Sequence, residues 1–341
     1  MTQPAEILFK LIRIALGDTE DLTLPSDVDW KAVIGLAFQQ GVAAIAADGL
    51  QTVYDADPSL ELALDSPELE NDKYELYANQ FSCEQDFALR AHVIDRLSEI
   101  WRSAGIDFVI LKGLSYAQYY PIPEHRYSCD LDVLPLCGWE LSNSLLEQAG
   151  YAVDMKEKKH SHVNVEGVHV ENHQFVCGTK GNPEGKRFDS CLKALLADGR
   201  ADAFHLLFYL KHAQTHFLIE DGIQLKHVLD WVYLRRFMSD ETSVLVREFG
   251  LEKFAAAVDG VAAYVMGESA YAGLPEASRV MLEDILALQP PLSSGGSRFR
   301  AHCNILRTIW RRRRFYRGFS HTTAFRQMCT YVVGYFLGLA G

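Results

Sequence analysis

The sequence predicts an α/β fold of the α+β kind, with a small mixed sheet set between an N-terminal and a C-terminal helical region. Three observations predict it. The first hundred residues carry helical periodicity, with Ile7, Leu8, Leu11, Ile12 and Ala15 on one face. Between residues 105 and 176, short runs of β-forming residues alternate with turn signals. From residue 201 onward the helical pattern returns, with Phe204, Leu207, Phe208 and Leu210 apolar.

In chain order, residues 30–50 continue the opening helical style through Val33, Ile34, Ala37 and Phe38. A loop with Pro58 and Pro67 precedes a long helix over about 67–104, which Gly105 stops. Residues 106–111 then read as a strand, and a short helix starts near Leu114. Pro121 and Pro123 end that helix, because each lacks a backbone donor and restricts the residue before it. A second strand starts at Asp130, and a helix over 139–149 is stopped by Gly150; residues 151–153 suggest a short strand. Residues 160–166 and 168–176 flank Gly167 as a β-hairpin, with His169, Glu171 and His173 on one face and Val168 and Val170 on the other. Helices follow over 201–237, broken at Asp221-Gly222, and on to about 288; the Pro290 to Ser297 stretch reads as a flexible join. The expected regions are an N-terminal helical one (1–104), an α/β core (105–200), a C-terminal helical one (201–290) and a basic tail with a terminal apolar helix (291–341).

The 48% hydrophobic content supports a packed core, and the N-terminus lacks the basic-then-apolar pattern of a secretory signal. Seven cysteines form an odd set without Cys-x-x-Cys spacing, which argues against a disulfide framework or a thiolate zinc site and for a reducing, cytoplasmic setting. The net charge is −12, yet residues 285–341 hold nine Arg and no Asp or Glu, leaving about −21 for the rest. The tail therefore reads as a separate electrostatic object. Its Arg311 to Arg314 run precedes an apolar stretch, 329–340, too short for the ~20 residues that span a bilayer. Two readings stand: a last helix docked on the body, or a peripheral contact with anionic lipid headgroups.

Asp130 and Asp132 lie one residue apart on a predicted strand, so both point to one face and repel each other when bare. A hard divalent cation, Mg²⁺ (or Mn²⁺), relieves that repulsion and takes substrate phosphates as further ligands. Glu171 offers a third carboxylate, as ligand or base, from a strand expected beside the Asp130 strand. Gly113 leaves room for phosphate, Lys112 adds a cationic contact, and Ser115 near a helix start is placed to bind a phosphate oxygen. Arg126, four residues before Asp130, is placed to reach a triphosphate or an acceptor.

The run Phe108-Val109-Ile110-Leu111-Lys112-Gly113, followed by Tyr120-Pro121-x-Pro123-x-x-Arg126-x-x-x-Asp130-Leu131-Asp132-Val133-Leu134, resembles the uncharacterised nucleotidyltransferase family of bacteria, a branch of the DNA polymerase β-like superfamily. The likeness extends to Val170 through His173, to the segment with His212, His216 and Asp230, and to Phe38-Gln39-Gln40-Gly41-Val42. It implies a nucleotidyltransferase-type sheet and transfer of a nucleoside monophosphate from a nucleoside triphosphate such as ATP to an acceptor, with release of pyrophosphate. The acceptor class stays open among small molecules, sugars, lipid-linked intermediates and proteins. One departure stands out: the wider superfamily places a Gly-Ser pair before the carboxylates, whereas Leu114 separates Gly113 from Ser115 here.

His205, Tyr209, His212 and His216 form a helical stripe, and His212 and His216 have the i, i+4 spacing of zinc ligands. The glutamate of a zinc protease is missing, since Ala213 stands there. His173, His212 and His216 therefore read either as a pocket wall or as ordinary packed, hydrogen-bonded histidines, and Asp230 either hydrogen-bonds a stripe histidine or stands solvated. Two other functions stay in view: a degenerate module that binds nucleotide without turnover, and a nucleic-acid binder acting through the tail. The acidic body argues against the second.

Overall fold

The computed structural model describes residues 1–18, 20–58, 66–156, 160–176, 183–219, 222–287 and 298–336, without the side chains of 183, 298–302 and 333–336. Asp221, Cys177, the expected join over 290–297 and the last residues of the apolar stretch lie outside them. The N-terminal helices are α1 (Gln3–Ala15), α2 (Trp30–Gln39), α3 (Ala43–Ala56) and α4 (Glu70–Arg102). The expected continuous pattern over 30–50 is thus two helices, separated where Gly41 takes φ +65°, and Phe38 is exposed instead of sharing the buried face. In α4 the buried residues Leu76, Cys83, Arg90, Val93, Leu97 and Trp101 recur at helical spacing, which gives this long helix one inward stripe.

The α+β expectation holds. Strands β1 (Phe108–Ile110), β2 (Leu131–Pro135), β3 (Val153–Asp154), β4 (His160–Val165) and β5 (Val168–His173) form one mixed sheet in the order β1-β2-β5-β4-β3. Only the β2/β5 pair is parallel. The β4–β5 hairpin turns through Glu166 and Gly167, both at positive φ, the geometry that matches the twist of two-residue hairpins. The short helices α5 (Leu114–Ala117) and α6 (Trp139–Gln148) fill the connections.

Strand alternation gives the sheet two unlike faces. Leu131, Val133, Val163, Val165, Val168 and Val170 point one way and pack with Val93, Leu97 and Trp101 of α4 and Leu146 of α6. Trp101 donates its indole N–H to the Ser142 carbonyl, so even the polar atom of this large buried ring is paired. The opposite face carries the acidic and imidazole side chains and looks toward the helical body.

That body comprises α7 (Pro183–Ala197), α8 (Ala201–Ile219), α9 (Leu225–Leu234), α10 (Asp240–Glu248), α11 (Glu252–Val265), α12 (Glu276–Leu286), α13 (Arg298–Arg311), α14 (Arg313–Phe319) and α15 (Ala324–Phe336). One apolar cluster joins these helices to α1–α3, so helices from both ends of the chain share a core. The basic tail is not electrostatically separate. Arg312 is buried, pairs with Asp284, donates to the Phe217 carbonyl and covers the Phe217 ring. Phe315 and Phe319 pack on the same ring, with centroids 5.1 and 5.0 Å away. Among the described residues no helix is long and apolar enough to cross a membrane.

Candidate functional site

The helix-facing side of the sheet gathers its polar residues by register. Asp132 lies directly across from Glu171 in the parallel β2/β5 pair. Glu171 in turn faces His162, and His173 faces His160, across the antiparallel β5/β4 pair. Asp130 stands just before β2 and is partly exposed. Three neighbouring strands thus bring two carboxylates and several imidazoles to one patch, and the loop that ends at Asp130 leads into the first of them.

Within it, Asp132 is buried. Its Oδ1 lies 3.1 Å from His173 Nε2, and its Oδ2 lies 3.2 Å from Lys112 Nζ. Oδ2 is shielded from solvent and has no hydrogen bond of good geometry, so one buried carboxylate oxygen retains capacity for a ligand. Glu171 Oε2 is 3.3 Å from His173 Nε2 and 3.9 Å from His160 Nε2. The His173 hydrogen bond, helped by the charges of His160, His173 and Lys112 and opposed by burial, holds the Glu171 carboxyl well below the usual carboxylate range. The oxygens of Asp132 and Glu171 are donors suited to a hard divalent cation, and the adjoining imidazoles add nitrogen donors; among the described residues the converging groups are His160, Glu171 and His173, and His162, His169 and Glu171.

The approach to Asp130 is clamped from several sides. Arg126 donates to Asp230 through Nε (3.0 Å) and Nη2 (2.6 Å), and its Nη1 donates to the Tyr127 carbonyl. Tyr120 donates a further bond of 2.9 Å to Asp230 Oδ1. Asp230 therefore partners Arg126 and Tyr120, not the histidine stripe. Arg90 Nη2 donates to the Cys129 carbonyl at 2.7 Å, and His125 bonds Asp48 and Glu84 on α3 and α4. Gly113 takes φ +68°, and a Cβ there would sit 2.5 Å from Ser128 Oγ. Glycine at this position lets the Lys112 turn lie against the loop that carries Asp130.

The remaining expected residues occupy two other places. Ser115 Oγ is buried without a hydrogen-bond partner and lines a groove of about 740 Å³ along β1, together with Arg102, Gln118 and His205. Burial, against an opposing effect of Asp202, pushes His205 down to about 4. His212 and His216 have ring centroids 4.4 Å apart on α8, with His216 6.2 Å from His227. Among the described residues, converging groups of metal-binding atoms occur on the sheet and not on this stripe.

Lys226 has a place that periodicity did not reveal. It opens α9 with its amine 5.0 Å from the Tyr127 ring centre. Burial pushes its pKa down, with Arg126 and Lys112 adding to the effect and Cys129 and Asp230 opposing it. Its stem crosses Gly41, where an added Cβ would stand 2.9 Å from Lys226 Cδ. Gln40 completes the seat: its carbonyl accepts from the Lys226 N–H, and its side chain accepts from the Leu225 N–H. The signal in the sequence was a lysine among Ile223, Leu225, Val228 and Leu229 on a buried helix start. His160 and His162 also escaped notice, although they alternate as residues 169, 171 and 173 do.

The family described as uncharacterised nucleotidyltransferase matches residues 26–267, a span that takes in the Lys112 turn, all five strands, the clamped loop and Lys226. No curated protein and no solved structure matches the chain. The match covers well over half of the sequence, and the chain belongs to the uncharacterised nucleotidyltransferase family.

Proposed function

We propose that the protein transfers a nucleoside monophosphate from a nucleoside triphosphate to an acceptor hydroxyl or similar group, with Asp130, Asp132 and Glu171 holding Mg²⁺ (or Mn²⁺). The observation that carries this reading is the register that sets Asp132 against Glu171 on parallel strands, with Asp130 two residues upstream in the sequence. When bound, the cation neutralises charge on the reacting phosphates and acidifies an attacking hydroxyl.

The chain's own groups divide the remaining work. Lys112 pairs with Asp132 from the β1–α5 turn, Lys226 lies over Tyr127 in the loop before Asp130, and in this reading both bind the triphosphate. Lys226 suits this role because no carboxylate pairs with it among the described residues; its amine lies on an aromatic ring. Arg126 acts at one remove, because Asp230 takes its guanidinium and the pair fixes the Tyr127 to Asp130 loop. Glu171 is the third ligand or the base that receives the acceptor's proton as the new oxygen–phosphorus bond forms and pyrophosphate departs. Its held-down pKa favours the ligand role. Ser115, expected at a phosphate, lines the β1 groove, which suits a contact with the acceptor.

A second reading, nucleotide binding without turnover, is favoured by one observation: Lys112 and His173 already flank both oxygens of Asp132. Labelled-nucleotide transfer separates the two readings. Label incorporation with pyrophosphate release supports the enzyme, and tight triphosphate binding with no pyrophosphate release at any acceptor supports the binding module. The cysteines among the described residues are all free, which supports a reducing, cytoplasmic setting.

A further inference from the structure

The patch holds more nitrogen than a magnesium site uses. Two imidazole Nε2 atoms, from His160 and His173, converge on the same Glu171 oxygen at 3.9 and 3.3 Å, and Asp132 Oδ1 lies 3.1 Å from His173 Nε2. Lys112 already sets one cation against Asp132, and His173 bridges Asp132 and Glu171. A second buried imidazole, that of His160, approaches the same oxygen and adds a further nitrogen donor to the cluster. Ligands about 2.0–2.2 Å from a common centre stand about 3–3.6 Å from one another, close to the spacings found here. The ring centroids of His160 and His173 are 4.8 Å apart, so the pair already flanks one point from neighbouring strands.

We propose that His160, His173 and Glu171, with Asp132 Oδ1, form a seat for a first-row transition-metal ion of the Zn²⁺ or Co²⁺ class, adjoining the oxygen-lined Mg²⁺ position and sharing Asp132 and Glu171 with it. A donor set of two imidazoles and two carboxylates selects such an ion over Mg²⁺, which favours oxygen and keeps its waters. The two oxygens of Asp132 look in different directions, Oδ1 toward the imidazoles and Oδ2 toward Lys112. The carboxylate thus borders both positions. His162 and His169 also group with Glu171, but they contact each other at 3.1 Å and are more open to solvent. The inner pair, with His160 and His173 both buried, is the better seat. Binding needs neutral imidazoles and ionised carboxylates, so uptake of the ion releases whatever proton the histidines hold.

The test uses the chelator-stripped full-length protein without nucleotide, titrated with Co²⁺ and read by its visible d–d absorption, followed by displacement with Zn²⁺. Wild type is expected to bind one equivalent with the strong band of a low-coordinate, imidazole-ligated ion that excess Mg²⁺ does not displace. His160→Ala should weaken binding by more than about tenfold and lose the band, since even outer partners of metal ligands are worth 10–100-fold. His160→Asn, of similar volume and polar, serves in its place if the alanine variant melts early. Asp130→Asn and His169→Ala should bind Co²⁺ as wild type does. The proposal is overturned if wild type shows only weak octahedral Co²⁺, if both His160 variants bind normally, or if His169→Ala abolishes the site. Because no nucleotide is present, the result stands apart from the transfer reaction, whose failure would show instead in nucleotide binding.

Discussion

Replacing Asp230 by Asn tests the clamp that positions the Asp130 loop. The carboxylate is essentially inaccessible and accepts bonds of 2.9, 3.0 and 2.6 Å from Tyr120 Oη, Arg126 Nε and Arg126 Nη2. Asn keeps the shape but removes the charge, leaving a buried guanidinium uncompensated. Breaking a buried pair in this way costs about 3–5 kcal/mol, because the remaining charge cannot regain its hydration. An exposed pair gives the contrast: Arg200 and Glu241 lie 2.8 Å apart, with Glu241 largely in water, and Arg200→Ala should cost under about 1 kcal/mol. Urea unfolding followed by tryptophan fluorescence measures both, with Trp231 beside Asp230 as a reporter. A loss in Asp230→Asn no larger than that of the surface variant would refute the clamp. A large loss with unchanged triphosphate affinity in the folded protein would refute its link to the site.

Four further outcomes are expected. Asp132→Asn should leave the fold intact and cut transfer by roughly a hundredfold to ten-thousandfold, the equivalent of several kcal/mol of lost charge stabilisation; unimpaired transfer would remove the proposed site. Lys226→Met should raise the triphosphate KM by about tenfold to a hundredfold, as a charge-assisted contact of about 1.5–3 kcal/mol implies, and an unchanged KM would take Lys226 out of the site. Gly41→Ala forces a left-handed backbone on alanine and crowds the Lys226 stem; it should cost about 1–2 kcal/mol and weaken triphosphate binding although the lysine remains. His205 titrates near 4 when folded against an ordinary 6.5, so its contribution is full above pH 6.5 and is lost as pH falls through 4. That contribution is up to about 3 kcal/mol, and His205→Phe should flatten this part of the stability profile, as pH-dependent denaturation would show.

The fold was legible wherever a local rule decided it. Alternation placed His169, Glu171 and His173 on one face, and Gly167 located the hairpin, because strand period and turn chemistry are properties of a few adjacent residues. That β5 could sit beside β2 was legible as a possibility, and the register makes it the observed neighbour. Long-range partners were not legible. Arg126 looks free in sequence, yet its partner Asp230 lies 104 residues away. Arg312 reads as one of four surface cations, but only the packing of Phe217, Phe315 and Asp284 shows it to be buried. Lys226 lay hidden for a related reason: a lysine at a helix start looks solvated until Gly41 and Gln40 are seen to seat it. His160 and His162 are legible by the same rule, since they alternate on the first arm of the hairpin as residues 169, 171 and 173 do on the second.

Calorimetric titration of the protein with each nucleoside triphosphate, with and without Mg²⁺, tests the central claim most directly when wild type is compared with an Asp130→Asn, Asp132→Asn double variant. Metal-dependent binding of at least one triphosphate by wild type, lost in the double variant, is the expected result. Equal binding by both proteins, or binding by neither, would contradict a cation-held triphosphate at Asp130 and Asp132.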